Sequence, residues 1–279
     1  MHHGPESVPN QGLRWWGLSD RGKVRKQNED AFLGLWINAQ ETHYLGTIGA
    51  SSMSHADFVF AVSDGIGGAH AGEFASRTAV DKITRLLPKA YKQAALGLEA
   101  GFDDVLVELF DQIHRTLMFI GASYPEVEGM GATLSLCWFR PGWAYFGHIG
   151  DSRIYYFPRG GGFRQLTQDD THVGWLFRTG KIKEYEARNH PGRNRLQKAL
   201  GAGHQFVDPQ VGAVGCEVGD RFLLCTDGVV DGLFDEALLD LVTSPPADGL
   251  NPAQRIVQQA LAQSGRDNTT AVVVEIAES

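Results

Sequence analysis

Cysteine is scarce in this chain of 279 residues. The three present, Cys137, Cys216 and Cys225, share no CxxC spacing and sit in or beside apolar runs. That excludes a disulfide framework and a thiolate zinc site, and predicts core thiols in a reducing compartment. No apolar run is long enough to span a bilayer. Basic charge is also short, with 25 Lys and Arg against 33 Asp and Glu and a formal charge of -8. No positive surface for a nucleic-acid backbone is expected from that balance. The opening MHHGPESVPN lacks a basic segment followed by an apolar one, so no secretion signal is expected and the reading is cytoplasmic. His2 and His3 read equally as native residues or as a tag. No internal repeat is visible.

What is present is globular. A hydrophobic content of 43% and an aromatic content of 10% suffice for a sizeable core. Residues 1–13 are polar with Pro5, Pro9 and Gly12 and read as a flexible arm, with folded structure starting near Trp15 and one domain over 14–279. Strand-length apolar runs occur at Phe58–Val62, Thr133–Phe139, Trp143–Ile149, Arg153–Phe157, Arg221–Cys225 and Thr270–Ile276. Arg140-Pro141-Gly142 reads as a hairpin turn. Helical periodicity marks residues 103–120 and 252–263, and a third helix runs from Ala69 to Leu87, stopped by Pro88. Strands cluster centrally with helices before and after them, so antiparallel sheets with helices packed outside are expected. The polar stretch Leu166–Gly203 reads as a helical insertion over one edge.

Four acids end apolar strands. Phe58–Ser63 runs into Asp64-Gly65, and Phe222–Thr226 runs into Asp227-Gly228. Asp151 bends between two strands, and Asp267 precedes the last. One Asp-Gly pair alone is usually just a turn. Four acids at strand ends would repel one another if those ends converge, and Mg2+ or Mn2+ is the commonest remedy. No contiguous calcium loop is present, and Cys and His at metal spacing are absent, which favours a hard, oxygen-loving metal. Near the N-terminus, Gly22–Asp30 combines Arg25 with Glu29 and Asp30. Alone it is a charged loop, but beside a metal an Arg can hold a phosphoryl group and acids can orient water.

Taken in order, Ser19-Asp20-Arg21-Gly22 through Asn28-Glu29-Asp30, Val62–Gly68, Gly129–Thr133, Gly147–Arg153, Leu166-Thr167, Cys225–Gly228 and Asp267–Thr270 resemble the metal-dependent protein phosphatases (PPM), the type 2C serine/threonine phosphatases, in their bacterial form. The resemblance implies an α+β fold, a β-sandwich of two packed antiparallel sheets flanked by helices, with a flap at about 166–203. It implies a site for two Mn2+ or Mg2+ ions. Asp64, Asp227 and Asp267 would bind one, and Asp64 with the Gly65 carbonyl the other. Asp151 with Asp227 matches a weaker third position. Glu29 and Asp30 would hold waters on the metals, and Arg25 would grip the substrate phosphate. The implied substrates are phosphoproteins of a serine/threonine kinase, hydrolysed by a monomer without nucleic acid or membrane.

Two positions depart from the family pattern. Ile66 stands where some relatives place a His as general acid, leaving that role unassigned, with His70 read as a surface or capping residue. Ala132 replaces a usual Thr, with a packing consequence expected. Three rival readings stay open. The Gly-rich stretch Asp64–Gly72 superficially suggests dinucleotide binding, but no second strand ending in an acid follows its helix. A catalytically silent module on the same fold is disfavoured because every acid and Arg25 remain. Phosphotyrosine or a small phosphoester is a third possibility for the substrate. Trp15-Trp16 and Tyr155–Phe157 read as core, while Arg188, His190, Arg193, Asn194 and Arg195 form a basic patch that is either solvated surface or a substrate-recognition element. The chain ends just after its last strand, and it is expected to act alone.

Overall fold

In the computed structural model, residues 11–95, 101–245 and 249–279 are described. The chain begins with β1 (Gln11–Asp20), β2 (Asp30–Ile37), β3 (Thr42–Tyr44), β4 (Ile48–Ser52) and β5 (Asp57–Ile66), followed by α1 (Ala69–Ala95) and α2 (Phe102–Ser123). Next come β6 (Gly131–Ala132), β7 (Leu134–Arg140), β8 (Trp143–Ile149), β9 (Arg153–Phe157) and β10 (Arg164–Gln165). Then α3 (His172–Arg178), α4 (Glu184–Arg188), β11 (Leu200–Gly201), β12 (Gln210–Gly215) and β13 (Arg221–Cys225) lead to the closing elements. These are α5 (Asp227–Gly232), α6 (Asp235–Thr243), α7 (Pro252–Gln263) and β14 (Thr269–Glu278).

Among the described residues the strands form two sheets. One is six-stranded in the order β10-β9-β13-β14-β1-β4; the other has eight strands, with β11-β6-β5-β7-β8-β12 as its path and β2 and β3 joined through β5. All the pairings are antiparallel. The period-two alternation of each strand sorts its side chains into layers. Phe58, Phe60 and Val62 of β5 meet Phe222, Leu224, Val272 and Val274 between the sheets. Val59 and Ala61, on the other face of β5, pack under α1 and α2 with Ala75, Ala79, Ile83 and Phe110. On the outer face of the six-stranded sheet, Leu223, Cys225 and Val273 pack against α5, α6 and α7 through Val229, Leu238 and Ile256. Helix, sheet, sheet and helix thus form four layers, and strands buried on both faces read as unbroken apolar runs.

Two expectations need correction. Pro88 does not stop α1, which continues to Ala95 with the proline inside it. The missing N–H costs one helical bond, and buried Ala75, Ala79, Ile83 and Leu87 on the sheet-facing side hold the preceding turns regardless. Ordered structure begins before Trp15: Gln11 to Leu13 already pair with Glu278 to Ile276. The Gln11 side chain accepts from the Gly142 amide at 2.7 Å and donates to the Cys216 carbonyl at 3.3 Å. The rest of the expected arm, residues 1–10, lies outside the described residues. Trp15, Tyr155, Tyr156 and Phe157 are buried, as are all three free cysteines.

Phe222 centres the inter-sheet core, its ring 5.0 Å from those of both Phe139 and Tyr156. Phe222→Ala should lower unfolding free energy by about 3–5 kcal/mol in denaturant titration, with the strand signal in circular dichroism retained.

Candidate metal centre

Strand direction brings the acids together. Asp64 lies near the C-terminal end of β5, and Asp30 opens the antiparallel neighbour β2 directly opposite it. β8 runs parallel to β5, since both are antiparallel to β7, so Asp151 leaves the same end of that sheet. In the other sheet β13 and β14 are antiparallel, with Cys225 opposite Ala271. The residue that follows β13 by two, Asp227, therefore lies beside the one that precedes β14 by two, Asp267. Five acids from five strands meet at one end of the sandwich because antiparallel neighbours start where their partners finish.

Around the resulting cleft of about 500 Å³ stand Arg25, Glu29, Asp64, Gly65, Asp151, Asp227 and Asp267. Asp30 does not line it. Its side chain lies beneath, where one oxygen accepts from the hydroxyls of Thr226 at 2.7 Å and Thr270 at 2.6 Å. This pair of bonds crosses from one sheet to the other. Burial pushes the Asp30 carboxyl up to about 7 despite those bonds, and burial with neighbouring Asp169 pushes Asp151 up to about 7. Asp64 and Asp227 are raised well above the usual carboxylate range, first by burial and then by the surrounding acids. Burial raises Glu29 as well. Arg25 donates to Asp267 at 2.7 Å and is the counter-charge of that acid.

Buried hydroxyls and one amide hold this array. The Thr133 hydroxyl accepts from the Asp64 amide at 2.9 Å and bonds the Ser152 hydroxyl at 2.7 Å, tying β5 to the Asp151 turn. That turn is shaped by Gly150 at φ 108, where a Cβ would fall 2.6 Å from Thr133. Beneath it, the buried His148 ring faces the Gly150 carbonyl at 3.1 Å and the Ser135 hydroxyl at 2.8 Å. A carbonyl only accepts, so Nε2 carries the proton, and burial pushes the imidazole down to about 4. Asn268 clamps the Arg25 loop: it accepts from the Glu29 amide at 2.7 Å and donates to the carbonyls of Arg21 and Gln27 at 2.8 and 2.9 Å. Thr133, Ser152, Thr226, Thr270 and Asn268 were not picked out as site residues from sequence. The available signal was a hydroxyl or amide residue beside nearly every acid, as in Asp151-Ser152, Thr226-Asp227 and Asp267-Asn268.

The donor set fits a hard divalent cation. Asp227 and Asp30 each keep a buried carboxylate oxygen with no hydrogen-bond partner. Gly65 cannot carry a side chain, because a Cβ would lie 2.0 Å from the Gly72 carbonyl oxygen. Among the described residues, no group of three or more His, Cys, Asp or Glu side chains is gathered tightly enough to hold an ion unaided. The carboxylates ring a cleft, leaving room for the waters and phosphate oxygens that Mg2+ and Mn2+ retain as ligands.

The segment 166–203 borders the same cleft through Asn194, Arg195, Leu196 and Ala199. Its base is fixed beside Asp151: Arg153 grips Asp169 with two bonds of 2.9 and 2.7 Å, and Asp170 accepts from the Gly150 amide at 3.0 Å. His70 is exposed in the first turn of α1. Buried Ala132 pairs with Gly65 and Leu200, so it acts in packing next to the site. Among the described residues no strand stands between α1 and α2, which counts against the dinucleotide-binding reading.

Known proteins agree with this architecture. The sequence model of the protein phosphatase 2C family matches residues 47–264. The serine/threonine protein phosphatase PstP of Mycobacterium tuberculosis is 34% identical over 267 residues, 95% of this chain and 45% of that protein, so the chain spans less than half of that relative's length. The serine/threonine phosphatase Stp of Listeria innocua is 31% identical over 92% of this chain and 93% of its own length. A solved structure of the PstP catalytic domain with two manganese ions superposes with a TM-score of 0.72 at 32% identity, covering 96% of this chain and 99% of that one. Strand order, acid placement and sequence converge on one conclusion: the chain belongs to the protein phosphatase 2C family, the metal-dependent PPM phosphatases, in its bacterial form.

Proposed function

We propose that this chain hydrolyses phosphoserine and phosphothreonine in proteins, with Asp64, Asp227 and Asp267 and the Gly65 carbonyl as ligands of two Mn2+ or Mg2+ ions. The observation that carries the reading is the ring of acids around one open cleft, Asp64, Asp151, Asp227 and Asp267 from four strand ends with Glu29 beside them, joined by Arg25, which pairs with Asp267. Bound Mn2+ or Mg2+ supplies a water acidic enough to attack a phosphoester near neutral pH and offsets charge on the phosphoryl oxygens. Asp64 and Asp227 are the shared ligands, and Asp151 serves a weaker third position with Asp227. Glu29, at the cleft wall, orients water; Asp30 acts from beneath, where one buried oxygen has no hydrogen-bond partner and the other locks the two sheets together. Arg25 serves two anions. It neutralises Asp267 in this structure, and its fork suits the substrate phosphate when a cation takes over that acid.

Names of the relatives support phosphoproteins as the substrate class. The finer reading is a single catalytic domain over 11–279 with its flap at 166–203, acting as a cytoplasmic monomer on targets of a serine/threonine kinase, without nucleic acid or membrane. No helix among the described residues is long and apolar enough to cross a membrane.

Hydrolysis of an aryl phosphate and a phosphothreonine peptide should require added Mn2+ and stop with chelator. Asp227→Asn should lower kcat/KM by at least about 100-fold. Activity undiminished by chelator would sink the mechanism. Arg25→Ala should raise KM by about tenfold with a smaller effect on kcat; unchanged values of both would remove its role.

Stability should depend on metal and pH together. In the metal-free chain, Asp30 and Asp151 keep their protons up to about 7, whereas the ordinary value is 3.8. Between those values the folded state binds more protons than the unfolded one. The contribution is complete below 3.8 and is lost as pH rises through about 7. The melting temperature of chelated protein should therefore fall as pH rises from 3.8 to about 7 and level off above it, the window set by those titrations. Added Mn2+ should raise it most at the alkaline end, since the ion binds the deprotonated acids. A Mn2+ shift independent of pH would count against carboxylate ligation.

A further inference from the structure

The basic patch of the flap divides into two functions once its bonds are traced. Arg188 directs its two terminal nitrogens at the C-terminal end of α5, reaching the Val230 oxygen inside the helix at 2.7 Å and the oxygen of Leu233, the residue just past it, at 2.9 Å. Its guanidinium lies 3.9 Å from the Phe234 ring centroid, and its Nε donates to Glu184 at 3.1 Å. Arg193 donates to Asp231 of α5 at 2.6 Å and to the Arg188 carbonyl at 2.9 Å. Neither arginine is free for substrate. Arg195 and Asn194, both exposed and lining the catalytic cleft, are the members of the patch that border the acids.

The helix they grip is the one that presents Asp227. α5 spans six residues, too short to persist by its own hydrogen bonds. Its N-cap residue, Thr226, makes no side-chain cap: its hydroxyl oxygen accepts from the Thr270 amide at 3.0 Å and its proton goes to Asp30. Arg188 supplies the donor for the Val230 carbonyl in the last turn of the helix. Asp231 stands one turn after Asp227, on the same face, and adds to the repulsion that raises Asp227. Arg193 supplies the charge that offsets Asp231, while one oxygen of Asp227 remains unpaired. A cavity of about 310 Å³ between flap and helix is lined by Arg188, Arg193, Asp231, Asp227 and Asp151, so the latch and the acids share one wall.

We propose that Arg188 and Arg193 are positioning residues, a latch by which the docked flap fixes α5 and holds Asp227 in place for the metal. Flap docking and metal affinity are then coupled: releasing the flap loosens Asp227, and binding metal tightens the flap. The proposal rests on the reading of Asp227 as a metal ligand.

The test uses the full chain with Arg188→Lys and Arg193→Gln, each paired with two measurements: calorimetric titration with Mn2+ alone, and hydrogen exchange over residues 172–195 and 227–233. Lysine keeps the charge but cannot span two carbonyls, so a folded protein is retained while the fork is lost. Each variant should bind Mn2+ about tenfold more weakly. Exchange should rise together in the flap and in α5, and saturating Mn2+ should restore protection to both in the parent and only partly in the variants. Mn2+ affinity within about twofold of the parent in both variants would overturn the latch, as would faster flap exchange with α5 unchanged. If the parent itself binds no Mn2+, the metal-centre reading fails. In that case, joint exchange of flap and α5 in the metal-free variants would uphold the mechanical link, and its absence would overturn that too.

Discussion

Like charge crowded into a protein-walled cleft is the constraint around which this molecule is arranged. Asp30, Asp64, Asp151, Asp227 and Asp267 come to one end of a two-sheet sandwich, and burial with mutual repulsion raises the first four. Such an array is stable only if every acid is protonated, hydrogen-bonded or faced by a cation. The protein answers some of this charge itself. Thr226 and Thr270 serve one oxygen of Asp30, Arg25 faces Asp267, and Arg193 faces Asp231. Asp64 and Asp227 form no ion pair with a basic side chain among the described residues, and both line the cleft. The fold thus leaves a negative remainder where a divalent cation is needed.

Surrounding structure serves that arrangement from both sides. The sheets bring the acids close through antiparallel pairing, and the inter-sheet aromatic core around Phe222 keeps the two ends from shearing apart. Hydroxyls and Asn268 then set the backbone from which the acids project, in networks whose members are mostly buried. The flap is fixed at two places next to the acids: Arg153 to Asp169 beside Asp151, and Arg188 and Arg193 to α5 beside Asp227. Arginine suits each of these joints because its planar fork makes two bonds at once.

Some of this was legible in the linear chain. β5, β7, β8, β9, β13 and β14 are long apolar runs, visible because they are buried on both faces or nearly so. β1, with Gly12, Arg14 and Gly17 interrupting its pattern, and the half-exposed edge strand β12 carry weaker signals and went unread. Pro88 misled because a local rule about helix ends yields to a helix already anchored by sheet packing. The basic patch was ambiguous for a different reason: charge alone does not reveal whether an arginine faces water, substrate or a carbonyl.

By itself the sequence determined the chemistry of the donors. Acids placed after strands, glycines where the backbone must turn, and the want of thiol and imidazole ligands all follow from residue identity and order, since strand period and turn preference are local properties. Tertiary structure alone decided their company. That Asp30 lies under the cleft and not on its wall, that Arg25 answers Asp267 across 242 positions, and that Arg188 and Arg193 brace the helix of Asp227 depend on contacts between residues far apart in the chain. Register and sheet packing fix those contacts, and neither is written in any single stretch of sequence.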